Sequence, residues 1–140
     1  METNARRDKF VRWFLAIAWS VLFLYLLIVF SPSGTRLASL AGSWSQMLGL
    51  PPGTLFKLGH VGGYLVWILL WCGVLAKGYR RPLPRAVLPW LPMVVLIMAA
   101  LPEGLQRLNP DRHPTWMDVG YNSIGAVVGL ALRVVVVKRK

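Results

Sequence analysis

The polar side chains able to do chemistry gather in two places. From Glu103 to Asn122 the chain carries Glu103, Gln106, Arg107, Asp111, Arg112, His113, Asp118 and Asn122, including three of its five carboxylates. A second, smaller group is Lys57, His60 and Tyr64, whose offsets of three and seven place them on one helical face. Carboxylates beside cations and amides can tie helix ends together as a structural network. Two or three cations with amide and imidazole donors can instead grip a phosphate or a carboxylate. As a third chemistry, His60 or Glu103 could act as a general base on a lipid-linked ester or phosphate. No serine or cysteine stands in a nucleophile motif, and the spacing of His60, His113 and the carboxylates matches no metal motif. We therefore expect no metal and no cofactor.

The elements that must position these groups are apolar. The chain has 140 residues, 56% of them hydrophobic, and a positive mean hydropathy, which places it among integral membrane proteins. Its net charge of +11 comes in short groups between apolar runs and not along one amphipathic face, so nucleic acid is not the expected partner. Membrane lipids are, and no protein partner can be named. Cys72 is the single cysteine, which excludes an internal disulfide.

Four apolar runs predict an all-α, multi-pass membrane helical bundle with four transmembrane helices, over about 13–30, 58–76, 86–106 and 119–137, all in one membrane domain of 1–140. The first run is longer than a signal-peptide core, and Ser31-Pro32-Ser33-Gly34 offers no small-x-small cleavage pattern, so it reads as an uncleaved span. The third run needs to continue past Pro102, through Glu103 and Gln106, because 16 residues rise only about 24 Å against a hydrocarbon core of about 30 Å. Between the first two runs Leu37, Leu40, Ala41, Trp44 and Leu48 recur at helical spacing, suggesting a short interfacial helix or a loop packed on the bundle. In the last run Gly125 and Gly129 continue the face of Asp118 and Asn122 and are expected to serve helix packing.

Lysines and arginines set the orientation. Residues 1–12 hold Arg6, Arg7, Lys9 and Arg12; the 77–85 connection holds Lys77, Arg80, Arg81 and Arg85; the last span ends in Arg133, Lys138, Arg139 and Lys140. The other two connections hold only Arg36, Lys57, Arg107 and Arg112. This asymmetry predicts both termini in the cytoplasm. Lys57, His60, Tyr64, Glu103, Gln106, Arg107, Arg112, Asp118 and Asn122 then form one polar site at the outer face. Glu103 and Asp118 are expected to pair there with Lys57, Arg107 or Arg112.

The order Lys57-x-x-His60-x-x-x-Tyr64, Glu103-x-x-Gln106, Arg112 and Asp118-x-x-x-Asn122-x-x-Gly125-x-x-x-Gly129 resembles the pattern of VanZ-like membrane proteins, over about 57–129. Two features depart from it. Phe56 stands where an aspartate is common, and Lys77 to Arg85 is a short connection. The resemblance implies a small helical bundle in a bacterial cytoplasmic membrane, of a family whose namesake is associated with reduced susceptibility to teicoplanin. The resulting expectation is an envelope protein whose outer site binds an anionic lipid or a lipid-linked cell-wall precursor. The alternative is a small membrane enzyme acting on a lipid-linked phosphate or ester.

Overall fold

The computed structural model describes residues 2–29, 36–107 and 115–138. Among them are five α-helices and no strand: α1 (Glu2–Val29), α2 (Arg36–Met47), α3 (Thr54–Leu75), α4 (Leu91–Gln106) and α5 (Trp116–Lys138). A 3-10 turn, Arg85–Val87, precedes α4.

The helix bounds differ from the apolar runs for local reasons. Arg6, Arg7, Lys9 and Arg12 form the first turns of α1, since arginine and lysine are good helix formers and no breaker intervenes before Pro32. Pro52 and Gly53, the latter at φ 80, turn the chain immediately before α3. The third helix starts at Leu91 rather than 86. Pro89 and Pro92 lack the N–H groups an α-helix there would need, and Val87, Leu88, Trp90 and Leu91 instead bond three residues back. Its other end does continue past Pro102 to Gln106, but the later start leaves α4 at 16 residues, a rise of about 24 Å.

Three helices are long and apolar enough to cross a membrane: Asn4–Ile28, Thr54–Leu75 and Trp116–Val137. They mark the chain as a membrane protein, whereas α4 is a shorter apolar helix and does not meet the same length. Residue distribution agrees. Phe14, Ile17 and Val21 on α1, Leu96 and Ile97 on α4, and Ile124, Val127 and Val134 on α5 are exposed, while Glu103, Gln106, Asn122 and Arg133 are buried. A lipid surround explains this, because apolar side chains lose nothing by facing acyl chains and polar ones must find partners inside.

The core centres on α3. Phe23 and Leu27 from α1, Tyr64, Trp67, Ile68 and Cys72 from α3, Leu91 and Val95 from α4, and Ala126 from α5 form one cluster. Helix α1 runs antiparallel to α3, with Trp13 against Trp71, Ser20 against Trp67, and Phe23 against Tyr64. Helix α4 is also antiparallel to α3, with Met98 at Tyr64 and Glu103 near His60. Helix α5 runs parallel to α3: Gly125 lies over Val61, and Gly129 over Leu65 and Ile68. The start of α1 and the end of α5 therefore share one end of the bundle. Helix α2 packs on α3, burying Ser45 while Leu40, Trp44 and Met47 point outward. An outward apolar face suits a helix lying along lipid better than a loop folded onto protein.

Tryptophans fasten α1 to α3. Trp67 and Trp71 both donate their indole N–H to Ser20 Oγ, at 3.1 and 3.0 Å, and Ser20 donates to Ala16 O at 2.7 Å. Trp19 donates to Gly63 O at 3.2 Å. The serine hydroxyl is thereby fully used, one proton given and two accepted. Ser20→Ala leaves two indole donors without that acceptor and should cost about 1–3 kcal/mol. Thermal unfolding in detergent checks it, and the cost should vanish when Trp67 and Trp71 are both phenylalanine.

Candidate functional site

Pro102 is where the site begins. Having no N–H, it cannot satisfy Met98 O one turn back in α4, and a buried carbonyl requires a donor. The Tyr64 hydroxyl supplies one by donating to Met98 O. The neighbouring carbonyl, Ala99 O, accepts from Asn122 Nδ2 at 3.0 Å. A proline within α4 thus accounts for the Tyr64 bond, and Asn122 from α5 adds a second donor on the same turn.

Asn122, fully buried, is the hub. Its Nδ2 also donates to Glu103 Oε1 at 3.2 Å, and its Oδ1 lies 2.8 Å from His60 Nδ1. Since an amide oxygen only accepts, His60 Nδ1 must carry the hydrogen. Glu103 Oε1 is 4.0 Å from the same nitrogen. Three helices thus contribute one residue each to a chain of imidazole, amide and carboxylate, buried at Asn122 and Glu103 and partly exposed at His60. In the neutral ring Nε2 keeps its lone pair, able to accept a proton or a hydrogen bond; in the imidazolium it becomes a donor to an anion. His60 and Asn122 each stand six residues inside their helix starts, about 9 Å from the end.

The other expected site residues divide by role. Lys57 is exposed one turn beyond His60, with Nζ 5.8 Å from the Tyr121 ring centroid, a cation–π contact. Among the described residues its ammonium meets an aromatic face, and of the three cations expected to pair with Glu103 and Asp118, Arg112 lies outside the described residues. Asp118 is a helix cap, its Oδ2 accepting from Thr115 N at 3.1 Å and Thr115 Oγ1 at 2.9 Å. As the third residue of α5 reaching back to the residue before the helix, it occupies the acidic position of a capping box. Gln106 is buried and donates to Leu27 O at 2.7 Å, holding the last turn of α1. Arg107 is exposed just past α4. Arg112, with Asp111 and His113, lies outside the described residues.

Gly125 and Gly129 make the hub's geometry attainable. A Cβ on Gly125 would sit 2.2 Å from Val61 O, and one on Gly129 would sit 2.3 Å from Ile68 Cγ2 and 3.0 Å from Leu65 O. Only at that separation does the Asn122 amide reach His60.

Arg133 has a role beyond its positive charge. It is 4% exposed, and its Nη2 donates to Gly78 O at 2.8 Å and Arg81 O at 2.6 Å. Its sequence signal is its place four residues after Gly129, on the face that already holds Asn122 and both glycines. Among the described residues no group of three His, Cys, Asp or Glu side chains is placed to hold a metal ion. Comparison of the chain with protein-family models, with curated proteins and with solved structures finds no match.

Proposed function

We propose that the chain is a VanZ-like integral membrane protein of the bacterial cytoplasmic membrane. In this reading both termini are cytoplasmic, and the His60 end opens at the outer face. It crosses the bilayer four times, the third crossing being α4 together with the turn that precedes it. Its polar site binds the anionic headgroup of a lipid or lipid-linked cell-wall precursor and so alters teicoplanin susceptibility. The observation that carries this is the meeting of His60, Asn122 and Glu103 from three helices, with Lys57 one turn further out. An ammonium at the rim and an imidazole held through Nδ1, its Nε2 left for a ligand, suit a phosphate.

The same imidazole favours one second reading, a membrane enzyme. A His whose tautomer is set by Asn122 can also act as a general base, and Glu103 Oε1 lies 4.0 Å from its Nδ1. Native mass spectrometry of the detergent-solubilised protein with undecaprenyl phosphate separates the two. Binding predicts that Lys57→Gln and His60→Ala each weaken retention about tenfold, with no new product formed. Turnover by the parent, abolished in Glu103→Gln, would instead establish the enzyme. Equal retention by all variants, with no turnover, would refute both.

A further inference from the structure

At the opposite end, where both chain termini lie, the 76–85 connection has an unusual build. Gly78 N bonds Gly73 O at 2.8 Å and Lys77 N bonds Val74 O at 3.0 Å, the bond pair of a Schellman ending to α3. The left-handed position of that motif normally belongs to glycine, yet here it is Lys77, at φ 54, with a glycine available one residue later. A side chain is thus held where the backbone would be less strained without one. Two further contacts set the segment. The Tyr79 ring covers Gly73, where a Cβ would fall 2.1 Å from Tyr79 Cε1, and buried Arg133 holds the carbonyls of Gly78 and Arg81.

With those carbonyls turned inward, Lys77, Arg80, Arg81 and Arg85 are all exposed, and Tyr79, Leu88 and Trp90 are exposed in the same stretch. Glu103 and Asp118 lie at the other end of the bundle, while Glu2 and Asp8, in the first turns of α1, share this end and are outnumbered there by Arg6, Arg7, Lys9 and Arg12 and by the four cations of the connection. Cations interleaved with aromatic and aliphatic side chains at the end of membrane-spanning helices match a charged headgroup above acyl chains, not a water-borne polyanion.

We infer that this connection is a preformed binding site for an anionic phospholipid headgroup in the leaflet at the termini end, with Lys77 and Arg81 as its phosphate contacts and Arg133 as its positioning residue. The site is independent of the one around His60. Strain at Lys77 is accounted for, because the left-handed turn directs an ammonium that glycine could not supply.

The test uses the full-length protein in detergent, with phosphatidylglycerol as probe and phosphatidylcholine as control, and retention read by native mass spectrometry. Lys77→Gly should raise the unfolding temperature, since it relieves the left-handed strain, while weakening phosphatidylglycerol retention about fivefold. Gly73→Ala, which displaces the Tyr79 ring without changing charge, should also weaken retention. Both effects should persist in a His60→Ala background, which separates this site from the other end. Undiminished retention in Lys77→Gly would overturn the proposal. So would a loss in Lys77→Gly with none in Gly73→Ala, because attraction would then come from the charge of the whole end and not from a built site.

Discussion

Gly125→Val forces α3 and α5 apart and is expected to be the most damaging single substitution in the bundle. Even the first carbon of a side chain at 125 would lie 2.2 Å from Val61 O, 2.9 Å from its carbonyl carbon and 3.0 Å from its Cα. These are backbone atoms of a neighbouring helix, so no side-chain rotation relieves the clash, and the whole α3–α5 interface must open. Overpacking costs reach about 3 kcal/mol when the surroundings cannot yield. A loss of about that size, read from unfolding in mixed detergent micelles, is the expected result. Gly120→Ala is the control. It sits on the same helix with nothing within 4 Å of its would-be Cβ, and should be neutral or gain up to about 1 kcal/mol from helix propensity. If Gly125→Val were as stable as the parent, the close parallel approach of α3 and α5 would be wrong, and with it the placement of Asn122 against His60.

Asn122→Leu carries the second large effect, on stability and on the site together. Leucine fills a similar volume but removes the acceptor of His60 Nδ1–H and one donor to Glu103. Each such loss in a buried setting costs about 1–3 kcal/mol, so a decrease of about 2–4 kcal/mol is expected. A separate signature comes from nitrogen NMR of His60. The parent should show the Nδ1–H tautomer alone in its neutral form, and the variant a mixture, because nothing then selects one ring nitrogen. Headgroup retention should fall with it. Full retention alongside the stability loss would make this network structural, a tie between three helices with no ligand to hold.

The His60 end of the bundle illustrates how far residue spacing reaches. Lys57, His60 and Tyr64 share a face because 3.6-residue periodicity demands it, yet their partners differ entirely: a Tyr121 ring, an Asn122 amide and the Met98 carbonyl. Tyr64 was legible as a polar residue at a helix entrance. Its partner depends on which carbonyl Pro102 leaves free, and on α4 lying antiparallel to α3. Asp118 shows a partner that was local. Thr115, three residues earlier, was in the sequence all along, and the carboxylate caps the start of α5 through it.

Composition and apolar run length determined that this chain is a membrane protein built of helices, because residues in hydrocarbon must satisfy their backbone groups within their own helix. Proline positions determined where α4 can begin and that its last turns carry a carbonyl in need of a donor. Glycine spacing marked the face of α5 that approaches another helix. Only the tertiary structure decided which helix that is, that one Asn122 amide meets both His60 and Glu103, and that Arg133 turns inward to hold the 76–85 connection. Those choices depend on hydrogen bonds between residues 19 to 62 positions apart, which no local periodicity encodes.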